Sequence, residues 1–405
     1  MYMLIRAGLV YPVVSPPIHN GCVAIKNGVV DAVGAEAEFD GIRFDKVLDL
    51  SGHIVMPGFV NAHSHLQLSA ARGRIVCDSN FCGWIRQVIE FNSSVMDEER
   101  ERGMRQGIAE MLSTGTTSVG DIVSDAKYAA PLAASKLRGV VFVEAIAPLE
   151  KDAEQAADNV WRQVMALREM GIMAGVSPHA PHTVSRPLFR LLEGIAEKYS
   201  LPVTTHVAES AAEDEYLRNG GGDMGALFAE RGAAPDRFAG YGVSAVQLLE
   251  GYGVLGRMLA VHLNSVNVED MGRLSAANSV PVFCPGSSRW FGRELVMPLE
   301  AMFARRMCPA LGTDSLASNT SLSMLDELRA AALYFPRLDR ACLLEAATIN
   351  GAIALGLECG GIANGKQADL ISFAWDGKSD PLDFIFRAQA PDFVMIGGEQ
   401  VLGSF

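Results

Sequence analysis

Residues 58–65 read GFVNAHSH, a short apolar run that ends on two of the chain's eight histidines. Such a run is typical of a buried strand, and seven similar runs follow it, separated by amphipathic helical patterns. The later runs are TTSVGDIV (116–123), GVVFVEAIA (139–147), MAGVSPHAP (173–181), PVTTHVAES (202–210), MLAVHLNSV (258–266), VPVFCPGSS (280–288) and CPALGTDS (308–315). The clearest helical patterns lie at residues 97–115, 152–171, 185–200 and 320–335. Eight strands that alternate with helices over about 300 residues predict an α/β fold of the (β/α)8 TIM-barrel type.

A doubly wound parallel sheet is the alternative arrangement for strands that alternate with helices. It would need a Gly-rich phosphate-binding loop directly after its first strand. The chain continues after residue 65 as LQLSAARG, which is not such a loop. The barrel is therefore the favoured prediction.

The two ends of the chain differ from this middle part. Residues 1–54 read as short strands and turns, with Asn-Gly and Ser-Gly pairs between them. The tail, residues 358–405, has the same pattern of short strands and glycine turns. Because chain termini often lie close in space, we predict that both ends form one small β domain beside a barrel of residues 55–357.

Composition narrows the classes of partner. The net charge is −13 and no Lys/Arg run is present, so neither nucleic acid nor an anionic membrane is an expected partner. The longest apolar stretches are about half of the roughly 20 residues that a membrane span needs, and we expect no signal peptide. The seven cysteines are odd in number, scattered and without a CxxC pair, which predicts reduced thiols and a cytoplasmic protein. A small-molecule ligand is the expected partner.

Chemically active side chains concentrate at the predicted strand ends. They are His63, His65, Glu144, His179, His182, His206, Glu209, His262, Cys284 and Asp314. The carboxyl ends of all strands in a barrel meet on one face, where active sites of this fold are built. Histidines that were merely surface or core residues would not follow the strand ends in this way. We therefore predict a functional site on that face.

The first two histidines suggest a metal site. Residues i and i+2 of a strand point to the same side, so His63 and His65 can hold one ion. Neutral imidazole is a good ligand for zinc or iron(II). A catalytic ion needs further ligands and one position for water, and His206 and Asp314 can supply those ligands from the far side of the barrel. We predict a divalent ion, Zn²⁺ first and Fe²⁺ second.

The motifs and their order resemble those of the amidohydrolase superfamily, in its branch of metal-dependent deaminases and chlorohydrolases. The resemblance spans nearly the whole chain and rests on PGFVNAHSH (57–65), HAPHTVS (179–185), THVAES (205–210), HLNSV (262–266), GTDSLASN (312–319) and GIANGKQADL (361–370). It implies a barrel with a composite β-sandwich and hydrolytic removal of a group from an aromatic ring carbon. Two-metal relatives often use a modified lysine at the fourth strand end, and residues 173–181 contain no lysine, which favours one ion per chain.

These residue types suit the chemistry that the resemblance implies. The predicted metal ligands are His63, His65, His206 and Asp314. Glu209 lies three residues after a ligand and would protonate a ring nitrogen, although its acidic surroundings also fit a solvated helix start. His262 would orient the attacking water and stabilise developing charge. Asp314 would carry a proton to the leaving ammonia.

Five residues are candidates for substrate contacts: Trp84, His179, His182, Ser288 and Arg289. In the resemblance Trp84 covers the substrate, but a tryptophan in a helix also suits packing. Arg289, in the turn predicted at GSSR, would meet an acidic or aromatic tail, with a solvated side chain as the alternative. Close S-adenosylhomocysteine-type relatives have a ribose-gripping glutamate nine residues after the tryptophan, where this chain has Ser93. Ser288 also replaces the usual asparagine, so an ordinary ribose grip is not expected.

The leading hypothesis is a hydrolytic deaminase of a 6-aminopurine nucleoside. The segment at 312–319 and the missing ribose glutamate favour aminodeoxyfutalosine, an intermediate of menaquinone biosynthesis, ahead of S-adenosylhomocysteine, methylthioadenosine and adenosine. Deamination of guanine or pterin rings, or triazine dechlorination, is the second hypothesis. Relatives that dechlorinate can lose the acid–base pair, whereas Glu209 and His262 are both present here. A non-catalytic metal-binding scaffold is the third hypothesis, and a homodimer is the expected assembly.

Overall fold

The computed structural model describes residues 1–77, 80–233 and 238–403 of the chain. Fifteen strands lie in these ranges. They are β1 (Tyr2–Val10), β2 (Ile18–Lys26), β3 (Val29–Ala35), β4 (Lys46–Pro57), β5 (Phe59–Ser64), β6 (Thr116–Val123), β7 (Arg138–Ala145), β8 (Met173–Pro178), β9 (Thr204–Val207), β10 (Leu259–His262), β11 (Val280–Phe283), β12 (Ala310–Leu311), β13 (Leu370–Ala374), β14 (Phe393–Ile396) and β15 (Glu399–Leu402). Strands β5 to β12 coincide with the eight predicted runs.

Strands β5 to β12 form a closed barrel. They lie in two parallel four-stranded sheets, β5-β6-β7-β8 and β9-β10-β11-β12. A parallel bridge between Val176 and Val203 joins the sheets at one seam, and a bridge between Ser64 and Asp314 joins them at the other. Every residue of β6 is buried, as expected for a parallel strand covered on both faces. The prediction of a barrel is confirmed.

Fifteen α-helices lie in the described ranges. They are α1 (Phe81–Ser94), α2 (Asp97–Ser113), α3 (Ala130–Ala133), α4 (Ala153–Glu169), α5 (Arg186–Tyr199), α6 (Ala211–Asn219), α7 (Gly222–Glu230), α8 (Ala245–Tyr252), α9 (Val268–Ala276), α10 (Pro285–Trp290), α11 (Leu299–Ala304), α12 (Met324–Tyr334), α13 (Arg340–Ala346), α14 (Ile349–Leu355) and α15 (Pro381–Arg387). Short 3₁₀ helices cover Glu36–Phe39, Leu66–Ala71, Ala126–Ala129 and Glu150–Asp152. None of the helices in the described part of the chain is both long and apolar enough to cross a membrane.

The four predicted helical patterns correspond to α2, α4, α5 and α12. The structure differs from the prediction at the start of α12 and at a predicted turn that is helical. Helix α12 begins four residues after the predicted start at 320, because the preceding residues bond elsewhere: the N–H of Leu322 donates to Glu110 Oε1 at 2.9 Å. The predicted turn at GSSR is wrong. These residues lie in helix α10, where Pro285 takes the first position with a fixed, helix-compatible φ.

Both chain ends contribute to one further sheet of seven strands, in the order β15-β14-β13-β4-β1-β2-β3. Strand β4 pairs in parallel with β1 and antiparallel with β13, so it joins the N-terminal strands to the C-terminal ones. Buried Ile5, Leu50 and Phe393 belong to the core of this sheet. The composite β-sandwich and its bounds, 1–54 and 358–405, stay predictions, and residues 404–405 lie outside the described part.

Two long connections extend from the carboxyl ends of the barrel strands and position the site. The first, between β5 and β6, contains α1 and α2, and the second, between β9 and β10, contains α6, α7 and α8. Arg86 of α1 forms an ion pair with Glu230 of α7 at 2.8 Å, which ties the two connections together. Helices α1 and α7 therefore stand side by side above the barrel.

Candidate active site

The four predicted metal ligands converge at the carboxyl ends of the barrel strands. The candidate ligand atoms of His63, His65 and His206 all lie within 4.8 Å of one another, and the Nε2 atoms of His65 and His206 are 3.3 Å apart. Oδ1 of Asp314 lies 3.7 Å from His63 Nε2 and 3.9 Å from His65 Nε2. All four side chains are buried. We call this group the four-ligand cluster.

The four-ligand cluster fits a divalent metal ion. Both ring nitrogens of His63 are buried and have no hydrogen-bond partner among the residues that the structure describes. A buried polar atom without a partner is costly, and a metal ion would supply the missing interaction. Three imidazoles and one carboxylate form a donor set that suits zinc or iron(II).

Neighbouring groups fix the orientation of two ligands. The Oγ atoms of Ser287 and Ser318 each donate to Oδ2 of Asp314 at 2.8 Å, which leaves Oδ1 facing the histidines. Nδ1 of His206 lies 2.9 Å from the carbonyl oxygen of His179, so Nε2 is the atom directed to the cluster. Such outer contacts set the tautomer and direction of metal ligands.

Two residues of the site have unusual backbone conformations. Asp314 has φ of 59° and His262 has φ of 75°, in the left-handed region that non-glycine residues rarely adopt. Both lie at strand ends, and the turn of the backbone there changes the direction of the side chain. Strained residues of this kind are held in place by their surroundings and concentrate at functional sites.

Glu209 lies beside the four-ligand cluster and contacts two basic side chains. Its Oε2 lies 3.8 Å from Nε2 of His262, and its Oε1 accepts a hydrogen bond from Nη2 of Arg293 at 2.9 Å. Burial raises the pKa of Glu209 to about 8, and the positive charge of Arg293 opposes that rise. The backbone N–H of Glu209 donates to Oε2 of buried Glu213 at 2.7 Å. The carboxyl group is therefore held in one position, and its pKa is raised above that of an exposed glutamate.

A cavity of about 480 Å³ opens above the cluster. Its floor is polar and includes His65, Glu209, His262 and Asp314. Its walls are mainly apolar and come from α1, α7 and the segment after β7: Phe81, Trp84, Ile85, Val88, Ile89, Ile146, Pro148, Met224, Leu227 and Phe228. The cavity can therefore hold a flat ring at its polar floor with an apolar group along its walls.

Three of the five predicted substrate-contact residues line this cavity: Trp84, His179 and His182. Trp84 also packs, since its Nε1 donates to the carbonyl oxygen of Ala317 at 2.8 Å and its ring stacks on Phe81. Nδ1 of His179 lies 2.7 Å from Oγ1 of Thr183, which fixes the ring. Trp84 therefore packs against its neighbours and also lines the cavity, and its contact with a substrate stays a prediction.

Ser288 and Arg289 are not among the residues of the cavity wall. Because residues 286–289 form a helix rather than a turn, successive side chains point in different directions, and Ser287 is the serine that reaches Asp314. Ser288 is buried but lies away from the cavity wall, and Arg289 is exposed. Arg293, four residues further on, is the arginine that reaches the site.

Sequence reasoning did not single out Arg293, Ser287, Ser318 or Glu213. Each contacts a candidate site residue. Ser287 lies in segment 280–288 and Ser318 lies in segment 312–319. These two motifs are the sequence signal that could have indicated the two serines. Arg293 lies in the loop after α10, where nothing in the sequence distinguishes it from a solvated arginine.

A model of the amidohydrolase family matches residues 54–401 of the chain. The chain belongs to the amidohydrolase family. The match covers the whole barrel and the C-terminal strands of the seven-stranded sheet. The predicted superfamily is therefore confirmed, and with it the prediction of a hydrolytic aminohydrolase.

Named amidohydrolase relatives and solved structures agree with this result. A 5-methylthioadenosine/S-adenosylhomocysteine deaminase of Pyrococcus furiosus is 30% identical over 389 residues, which cover 91% of this chain and 85% of the relative. An aminodeoxyfutalosine deaminase of Deinococcus radiodurans is 31% identical over 350 residues, covering 83% and 81%. An adenosine deaminase of Xanthomonas campestris, solved with bound zinc, aligns with a TM-score of 0.84 at 27% identity over 99% of this chain and 93% of that one. The family and the His-rich cluster together support a divalent-metal site.

Proposed function

We propose that this amidohydrolase removes ammonia from a 6-aminopurine nucleoside by hydrolysis, with aminodeoxyfutalosine as the favoured substrate. S-adenosylhomocysteine, methylthioadenosine and adenosine are the next candidates. The observation that carries the proposal is the contact of Glu209 with His262, 3.8 Å apart, beside the four-ligand cluster at the floor of an apolar cavity. A proton-transfer group, an orienting imidazole and a metal site at one point are what hydrolysis at a ring carbon requires.

Each residue of the site has a role in this proposal. A divalent ion held by the four-ligand cluster, zinc first and iron(II) second, would act as a Lewis acid that lowers the pKa of water. Glu209 takes a proton from the attacking water and delivers it to a ring nitrogen, which makes the neighbouring carbon electrophilic. His262 orients the water and stabilises the charge that develops. Asp314 takes the second proton of the water, from the hydroxyl added to the ring carbon, and passes it to the amino group. The C–N bond then breaks, ammonia leaves and the ring carbon keeps the oxygen.

The pKa of Glu209 suits this double role. A group that first accepts and then delivers a proton works best when its pKa lies near the operating pH. Burial raises the pKa of Glu209 to about 8, while Arg293 keeps it from rising further. Arg293 thus acts as a positioning residue that favours the ionised form of Glu209, which is the form that can accept a proton from water.

The apolar cavity walls suit a nucleoside that carries an apolar or aromatic extension. Trp84 and Phe228 stand on opposite connections, on α1 and α7, and both line the cavity. Arg231, at the end of α7, adds a cation at the edge of the cavity, which suits an acidic end of the same extension. An aromatic tail that carries an acid, as in aminodeoxyfutalosine, matches this arrangement better than a short methylthio group does.

Release of ammonia from a substrate panel tests the proposal. The metal-loaded enzyme is assayed with aminodeoxyfutalosine, S-adenosylhomocysteine, methylthioadenosine and adenosine, and with guanine, a pterin and a chlorotriazine as alternative classes. We expect the highest kcat/KM with aminodeoxyfutalosine and measurable deamination of at least one other 6-aminopurine nucleoside. Activity confined to guanine, the pterin or the triazine would replace the proposal by the second hypothesis. Failure on all compounds by metal-loaded enzyme would favour the non-catalytic scaffold.

A second prediction concerns Arg293 and the pH dependence. The guanidinium favours the ionised form of Glu209, so Arg293→Met raises the pKa of that carboxyl group. We expect the acidic limb of the kcat/KM profile to move upward by about one pH unit or more, since an opposite charge at this range typically shifts a pKa by that amount. Arg293→Lys keeps a cation and should restore much of the parental profile. An acidic limb that stays in place in Arg293→Met would contradict this role.

We extend the proposal to the setting of the enzyme. It would act in the cytoplasm as a homodimer on a small molecule, without nucleic acid or a membrane as partner, and in menaquinone biosynthesis if aminodeoxyfutalosine is its substrate. Residues 1–54 and 358–405 would form the composite β-sandwich domain. The lack of a Lys/Arg run supports the exclusion of nucleic acid and an anionic membrane, and the seven-stranded sheet built from both chain ends supports the composite domain.

A further inference from the structure

Glu144 is an acidic cavity residue to which the proposed mechanism assigns no role. It lies near the end of strand β7 and its side chain lines the cavity. Its carboxylate lies within 4.8 Å of the candidate ligand atoms of His179 and His206. Glu144 therefore stands next to the reacting centre, on the side of the cavity formed by β7 and β8.

The carboxylate of Glu144 has no hydrogen bond or ion pair with any residue in the described part of the chain. The two other acidic residues of the described cavity wall are engaged: Glu209 pairs with Arg293, and Asp314 accepts from Ser287 and Ser318. A half-buried carboxylate without a partner is costly. Its place on the wall of a binding cavity indicates that a ligand supplies the hydrogen-bond donors.

Helix α1 places no carboxylate on the described cavity wall. Ser93, at the position of the ribose-gripping glutamate in similar proteins, is exposed, and its Oγ donates to the carbonyl oxygen of Glu90 at 2.8 Å. Asn92 lines the cavity, but its Oδ1 already accepts a hydrogen bond from Nη1 of Arg100 at 2.9 Å. Hydroxyl groups of a sugar need an acceptor, and α1 supplies no carboxylate for them.

We propose that Glu144 is the specificity-determining residue that accepts hydrogen bonds from the sugar hydroxyls of the substrate. The inference rests on the proposed nucleoside deaminase function and narrows its substrates to ribonucleosides. The two oxygens of one carboxylate match two neighbouring hydroxyls, so the 2′,3′-diol of ribose is the natural ligand. His179 stands beside Glu144 with Nδ1 bound to Thr183, which leaves Nε2 as the ring atom for the same sugar.

Matched nucleosides test this assignment. The kcat/KM of metal-loaded full-length enzyme is measured with adenosine, 2′-deoxyadenosine and 3′-deoxyadenosine, for the wild type and for Glu144→Gln and Glu144→Leu. Because hydrogen bonds to charged groups are strong, we expect the wild type to lose about 10- to 100-fold when a bonded hydroxyl is removed. In Glu144→Leu this penalty should fall below about threefold, with Glu144→Gln in between. An equal penalty in wild type and both variants would overturn the assignment.

Two controls separate the assignment from its alternatives. Ser93→Ala should keep the wild-type preference for ribose, and loss of the preference in this variant would place the sugar on α1 instead. Glu144, His179 and His206 could also hold an ion, so metal content is measured in every variant. Two ions in the wild type and one in Glu144→Gln would make Glu144 a metal ligand and overturn the inference. A wild type that deaminates no 6-aminopurine nucleoside would instead fail the proposed function itself.

Discussion

Glu209→Gln should lower kcat by at least about two orders of magnitude, within the range of about 10²–10⁴-fold typical of general acid–base steps. Glutamine keeps the size of the side chain but has no proton to exchange between water and a ring nitrogen. The four-ligand cluster is untouched, so metal content should stay near one ion per chain and substrate should still bind. Steady-state kinetics and elemental analysis on the same preparation check both parts.

The control for this variant is another carboxylate of the same acidic segment. Glu215 is exposed on α6 and is not part of the cavity wall, so Glu215→Gln should keep the parental rate. The two variants make the same change of charge, six residues apart in sequence. Glu209→Gln turning over near the parental rate would remove Glu209 from the mechanism.

His206→Ala should lose metal and activity together. The side chain lies at the centre of the cluster, with Nε2 3.3 Å from that of His65 and Nδ1 fixed by the carbonyl oxygen of His179. Removal of one of four ligands leaves the ion held by three and its position undefined. We expect metal content after gel filtration well below that of the wild type, and no turnover in metal-free buffer.

His19→Ala is the matched control, because this histidine is exposed on β2, outside the cluster. It should keep both the ion and the activity. The contrast with Glu209→Gln is also informative, since that variant should lose turnover but keep its ion. Retention of a tightly bound ion and of parental activity in His206→Ala would contradict the assignment of the ligand.

The barrel and the cluster were predictable because each depends on a local pattern. Parallel strands buried on both faces read as short apolar runs, and all eight runs proved to be strands. The common direction of His63 and His65 follows from the period of a strand. His206 and Asp314 could be placed beside them because the carboxyl ends of barrel strands share one face.

The remaining features of the site depend on tertiary contacts. Arg293 reaches Glu209 across 84 positions of the chain, and no local pattern encodes that contact. The role of Ser287 rather than Ser288 depends on the helical start of α10, which the sequence suggested to be a turn. The lack of a hydrogen-bond or ion-pair partner for Glu144 among the described residues depends on all of its neighbours in space, and a single sequence does not identify those neighbours.

The most direct test of the central claim is the source of the oxygen in the product. Metal-loaded enzyme is incubated with aminodeoxyfutalosine in heavy-oxygen water, and the product is analysed by mass spectrometry while ammonia is measured in the same reaction. Hydrolytic deamination at the polar floor of the cavity predicts one heavy oxygen on carbon 6 of the purine for each ammonia released. Unchanged 6-aminopurine, or a product in which the amino group is retained and another bond is cut, would contradict it.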